Sequence, residues 1–111
     1  MEQIFPIDRL LEQARSAGGS WHEFLRVADL SLGLYLLKAG AEDGQTPHAE
    51  DEVYYVVRGR GSLRVADRDH EVAPGSIVFV PARAEHRFHT IREDLELLVF
   101  FAPAEGSRTP V

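Results

Sequence analysis

The stretch Gly40-Ala-Glu-Asp-Gly-Gln-Thr-Pro-His48-Ala-Glu-Asp-Glu52, closed by Gly59, decides how this chain is read. It is answered by Gly75-Ser-Ile-Val-Phe-Val-Pro81, with His86 five residues beyond the proline. Both stretches run into β-branched and aromatic residues between Gly/Pro turns, the signature of short strands. In an extended strand, residues two apart share a face. Glu52, Tyr54 and Val56 then point one way, and a glutamate on a face that carries valine is costly to bury unless it is paired or binds a cation. His86, Phe88 and Thr90 share a face in the later strand, which turns Arg87 and His89 outward. His48 is expected to end the strand before Glu52, across an Ala-Glu-Asp turn. Two imidazoles and a carboxylate converging from three strands form the ligand set of a non-haem iron, manganese, nickel or zinc site.

Outward from these motifs the chain reads as strands. Alternation places Leu30, Leu32, Leu34 and Leu36 on one face of a run that ends before Gly40. Further strands are expected over residues 53–58, 62–66, 70–73, 77–80, 86–91 and 95–101. The turns between them fall at Gly59-Arg-Gly61, Asp67-Arg-Asp69, Pro74-Gly75 and Glu93-Asp94. About seven short strands at this spacing make a β-sandwich or β-barrel. Ahead of them, residues 7–16 predict a helix with Asp8 as cap, Leu10, Leu11 and Ala14 as its apolar face, and Gly18-Gly19 as its stop. Residues 103–111, polar with two prolines, predict a flexible tail. The whole, 1–111, reads as one domain: a core over about 30–101 and a helical amino-terminal segment over 1–20.

The totals exclude several functions. A chain of 111 residues buries roughly two-thirds of its unfolded surface, and 44% hydrophobic content is ordinary for a globular domain. A net charge of −6, with the basic residues scattered among acids, argues against nucleic acid and anionic membrane surfaces as partners. The longest apolar runs, 97–104 and 77–82, are too short to span a bilayer. No signal-peptide pattern opens the chain, so a cytoplasmic location is expected. The absence of cysteine removes disulfides and thiolate metal sites.

The two motifs resemble those of the cupin superfamily. Its first motif reads Gly, five residues, His-x-His, three or four residues, Glu, six residues, Gly; its second reads Gly, five residues, Pro-x-Gly, two residues, His, three residues, Asn. Gly40, His48, Glu52 and Gly59 match the first, with Thr46 in place of the first histidine. Gly75, Pro81 and His86 match the second, with Arg83 in place of the glycine and Thr90 in place of the asparagine. The resemblance covers about residues 30–101 and implies an all-β fold, a small double-stranded β-helix of jelly-roll type behind a short N-terminal helix. It also implies one divalent metal ion (Fe, Mn, Ni or Zn) held by His48, Glu52 and His86, and a homodimer. Family members with the full set use three histidines and a glutamate. Here the two-His-one-carboxylate set remains, with Glu50, and below it Gln45, as substitutes for the missing ligand.

Other residues read more simply. His89 reads as a surface residue, and His22 and His70 as edge or turn residues. Glu50 and Asp51 read as a solvated turn, and Trp21, Phe24 and Tyr35 as core or interface aromatics. A metal-free barrel in which Glu52 hydrogen-bonds both imidazoles is the structural alternative. The functional expectation is a metal-binding protein acting as a small metalloenzyme on an oxygen-rich small molecule. Its chemistry would be dioxygenase-like, or isomerase- or lyase-like, with Tyr54 or Glu50 as acid/base candidates. The alternative function is a non-catalytic module binding a small molecule in the same pocket. For the dimer, the segment 21–28 with Phe24 and Leu25 is expected to cover an exposed sheet edge.

Overall fold

The computed structural model describes residues 2–45 and 47–108. In chain order the elements are α1 (Ile7–Ala17), β1 (Trp21–Val27), β2 (Leu30–Leu37), β3 (Asp51–Val65), β4 (Arg68–Val72), β5 (Ile77–Val80) and β6 (His86–Ala102). The strands are antiparallel neighbours in the order β1-β2-β6-β3-β4, with β5 beside β3. β3 and β6 form the spine. The first half of β3 carries β5 (residues 52–55 against 77–80), and its second half carries β4 (61–65 against 68–72). The all-β double-stranded β-helix expected from the motifs is the fold observed.

The turns expected at Gly59-Arg-Gly61 and Glu93-Asp94 are not turns. β3 and β6 run straight through them as strands of 15 and 17 residues, and the register between them slips at Val56/Arg58, Arg58/Arg60 and Arg60/Ser62. Gly59, at φ 96°, lies so close to β6 that a Cβ there would meet the Asp94 carbonyl oxygen at 2.2 Å. This glycine marks the place where a long strand pair bends to close a barrel.

Two apolar clusters result. Inside the barrel, Tyr54, Val56, Leu63, Phe88, Leu95, Leu97, Val99 and Phe101 pack with Leu37. Outside it, Leu11 and Ala14 of α1 cover Leu34, with Phe24, Leu36 and Leu98 at the margin. β2 is therefore covered on both faces, and its leucines do not all serve one core. Burying each large apolar side chain contributes about 1.5–3 kcal/mol, which is why the chain wraps α1 over the sheet. Asp8 does not cap that helix: Pro6 occupies the cap position with no side-chain bond, while Asp8 sits in the first turn, where its charge still favours the helix dipole. Gly18, at φ 76°, ends the helix.

Of the flexible tail expected over 103–111, residues 103–108 are held in place, and 109–111 lie outside the described residues. Ala104 is buried, and backbone amides of the segment are bonded by Ser31 Oγ and by both carboxylate oxygens of Glu50. No helix among the described residues is long and apolar enough to cross a membrane.

Candidate metal centre

Glu52, the second residue of β3, faces the barrel interior with Tyr54 and Val56; all three are buried. His86 opens β6 and faces inward with Phe88, while Arg87 is exposed. Parity fails after Phe88. Thr90, at φ 49°, breaks the alternation and is exposed, and Ile91 turns inward instead. His48 lies on no strand: β2 has already ended at Leu37, and the imidazole is carried by the loop that leads to β3. That loop is held where the His48 carbonyl accepts the Arg83 amide at 2.7 Å.

These three side chains meet. One ligand atom from each of His48, Glu52 and His86 lies within 4.8 Å of the others. His86 donates its Nδ1 proton to the Ala84 carbonyl at 2.9 Å, the tautomer that leaves Nε2 as a lone pair. That Nε2 sits 3.1 Å from Glu52 Oε1. Yet Nε2 and both Glu52 oxygens are buried without a hydrogen bond. A carboxylate 2% exposed with no donor is a costly arrangement. A cation between these atoms would satisfy all of them, so the donor set fits a divalent metal. Burial, the largest single influence on His86, lowers its pKa, but the Glu52 carboxylate and the Ala84 carbonyl outweigh it and leave the value raised.

Around this cluster runs a polar network that sequence reading missed. Asp43 is buried and accepts from Tyr35 Oη (2.6 Å), Gln45 Nε2 (2.7 Å), the Gln45 amide (3.2 Å) and the Phe88 amide (2.8 Å). Gln45 Oε1 in turn accepts from Tyr54 Oη at 3.0 Å. Burial first, then the Glu52 charge, pushes the Tyr54 phenol well above its ordinary value; burial and the Asp43 hydrogen bond raise Tyr35. Both phenols therefore keep their protons, and Tyr54 can serve as a donor, not as a base. In sequence, Asp43 stands in Glu-Asp-Gly, and nothing local marks it.

Glu50 is not at the centre. It is 3% exposed, and both its oxygens accept backbone amides, of Gly106 and Arg108. Asp51 accepts the Ala82 amide. The solvated turn expected here is thus a pair of anchors. Gln45 is committed to Asp43 and Tyr54, and Thr46 lies outside the described residues. His22 contacts the Gly19 carbonyl, and His89 bonds Asp69 on the outer face.

A cavity of about 820 Å³ opens from the cluster toward the end of α1, lined by Trp21, Tyr35, Phe101, His48, Glu52 and Glu105. Trp21 packs edge-on to Tyr35 and Phe101 over Gly33, where a Cβ would meet the indole at 2.3 Å. Phe24 instead packs on Phe5 outside the barrel. Glu105, which no motif marks, stands with Oε2 3.7 Å from His48 Nδ1. Burial raises its carboxyl pKa; His48 opposes that shift and Glu52 adds to it.

Comparison with known proteins agrees with this geometry. The cupin domain family matches residues 33–101. An uncharacterised protein of Streptomyces coelicolor is 48% identical over 104 residues, 94% of this chain and 99% of that protein. A solved Thermus thermophilus protein is 27% identical with a TM-score of 0.73, covering 93% of this chain and 99% of that one. The structure of KdgF from a Halomonas species aligns at a TM-score of 0.68 and 20% identity, over 75% and 76% of the two chains. With both motifs, the strand order and the inward His and Glu accounted for, the chain belongs to the cupin family.

Proposed function

We propose that the protein is a metal-dependent cupin that holds one divalent ion with His48, Glu52 and His86 and acts on an oxygen-rich small molecule. One observation carries this reading: Glu52 Oε1 and Oε2 and His86 Nε2 are buried without an aligned hydrogen bond, and one ligand atom from each of Glu52, His86 and His48 lies within 4.8 Å of the others. The metal-free alternative requires Glu52 to hydrogen-bond both imidazoles; Glu52 Oε1 pairs with His86 Nε2 at 3.1 Å, but no hydrogen bond joins Glu52 to His48 among the described residues. When bound, the ion would supply Lewis acidity toward a carbonyl or hydroxyl, or access to oxygen chemistry, according to its identity.

The remaining roles belong to the chain. Trp21, Tyr35 and Phe101 give the cavity apolar walls that exclude water and orient a small ligand. Tyr54, protonated and anchored by Gln45, holds its phenol beside the Glu52 carboxylate, whose charge raises its pKa further. The proposal extends to a cytoplasmic homodimer. The free edge of β1 and the exposed Tyr55, Ile77 and Phe79 on the outer face of β3 and β5 are the surfaces a second copy would cover.

The test is metal content by mass spectrometry of tag-free protein, wild type beside His48→Ala, Glu52→Gln and His86→Ala. Near-stoichiometric metal in wild type and its loss in all three folded variants is expected. Iron or manganese would direct substrate screens to oxygen consumption, and zinc or nickel to isomerase and lyase reactions. Folded wild type without metal, even after reconstitution, would sink the reading and leave a small-molecule binding module.

A further inference from the structure

We infer that Glu105 is a positioning residue for His48, the carboxylate that accepts its Nδ1 proton and so presents Nε2 to the metal. The inference rests on the metal reading above. The two histidines differ in how they are held. His86 is fixed by the Ala84 carbonyl at 2.9 Å. The His48 ring makes no hydrogen bond among the described residues, and its nearest charged neighbour is Glu105 Oε2, 3.7 Å from Nδ1. That separation is just beyond hydrogen-bond range, and functional contacts of this kind commonly tighten when a site is loaded.

The placement of Glu105 is built, not incidental. Its segment follows β6 and is tied down at successive residues. Ala104 N bonds Ala28 O, Glu105 N bonds Ser31 Oγ, and Glu105 O accepts Arg26 at 2.7 Å. Gly106 N and Arg108 N bond Glu50, and Arg108 Nη1 bonds Ala49 O. Ser31 and Glu50 are both fully buried, and the side-chain bonds the structure gives them all go to this segment. Burying a carboxylate to hold a functionless tail would cost free energy without return. Ala49 and Glu50 also directly follow His48, so the clamp joins the segment to the loop that carries the ligand.

Glu105 lies outside the group of three whose ligand atoms fall within 4.8 Å of one another, which makes it an outer partner and not a fourth ligand. Carboxylates behind metal-bound imidazoles fix the tautomer, and their removal costs about 10–100-fold in metal affinity.

The experiment pairs two readouts on wild type, Glu105→Ala and Glu105→Gln. The first is the His48 tautomer by ¹⁵N imidazole NMR of metal-free protein near pH 8.5, where imidazole is ordinarily neutral. The second is the dissociation constant for Co²⁺ by absorbance titration. Wild type is expected to show the Nδ1–H tautomer. In Glu105→Ala, that tautomer should give way to a mixture, and Co²⁺ binding should weaken about 10–100-fold. Glu105→Gln, which keeps an acceptor, should restore the tautomer and most of the affinity. A merely structural strap would lower melting temperature in Glu105→Ala without moving the tautomer, and that result overturns the inference. Failure of wild type to bind Co²⁺ would instead strike the metal reading, while the tautomer comparison still decides the role of Glu105.

Discussion

Glu52 shows how a single buried group reports function. Its carboxylate has no aligned hydrogen bond and only His86 Nε2, 3.1 Å away, as a partner, so in metal-free protein it is a liability that a cation would remove. Glu52→Gln is therefore expected to raise the melting temperature measured in chelator, by about 1–3 kcal/mol of stability, while abolishing metal uptake; a lower melting temperature would contradict this account. Asp43 is the opposite case, a buried carboxylate with all its acceptors used. Asp43→Asn turns an acceptor into a donor facing the Phe88 amide and should cost about 1–3 kcal/mol in urea unfolding. The two departures from the second cupin motif share one physical meaning. Arg83 and Thr90 stand where a glycine and an asparagine are expected, and both adopt positive φ, 71° and 49°. The left-handed region costs an ordinary residue roughly 1–2 kcal/mol, and a β-branched one is a clear outlier there. Arg83→Gly should stabilise by about 0.5–1 kcal/mol, read as a higher urea midpoint with an unchanged slope. Sequence could place these positions in the motif; only the backbone shows why glycine and asparagine suit them.

At the scale of elements, the glycine pair at 59 and 61 is the most instructive misreading. Composition says turn, yet β3 continues because β6 pairs with it throughout and supplies the hydrogen bonds a turn would have ended. Gly59→Ala should cost several times what an exposed Gly→Ala change does, about 2–4 kcal/mol, because the new methyl meets the Asp94 carbonyl and φ is 96°. An unchanged thermal transition would refute the tight crossing. On the outer face, the β3, β4 and β6 strands are laced by charge. The His89 hydrogen bond, helped by Arg64, lowers the Asp69 pKa; Arg92, then Ser62, lowers that of Glu71. Depressed folded values mean the stabilisation is complete above the ordinary values of 3.8 and 4.5 and is lost as pH falls through the lower folded ones. Asp69→Asn with Glu71→Gln should lower the melting temperature slightly at neutral pH, converge with wild type below the folded pKa values, and so flatten the acid limb of the profile. Both groups are exposed, so the effect will be small and reduced by salt.

Across the whole molecule, the exposed Ile77 and Phe79, at 72% and 60%, share a sheet face with Tyr55. Phe79→Glu is expected to shift sedimentation from dimer to monomer without altering the fold; a wild type that sediments as a monomer at micromolar concentration removes the dimer. Of the segment expected at that interface, Trp21 and Phe24 are spent within the chain, and the free edge of β1 remains. The sequence by itself determined the fold family and that Glu52 and His86 face inward, because motif spacing and strand parity are local properties carried by consecutive residues, whereas His48 sits on a loop that parity does not reach. Only the tertiary structure decided that the strands are two long bent ones, that Asp43 and Glu50 are buried anchors, and that Glu105 returns to stand beside His48. Those facts depend on contacts between residues far apart in the chain, and no local pattern encodes which distant backbone will meet a given carboxylate.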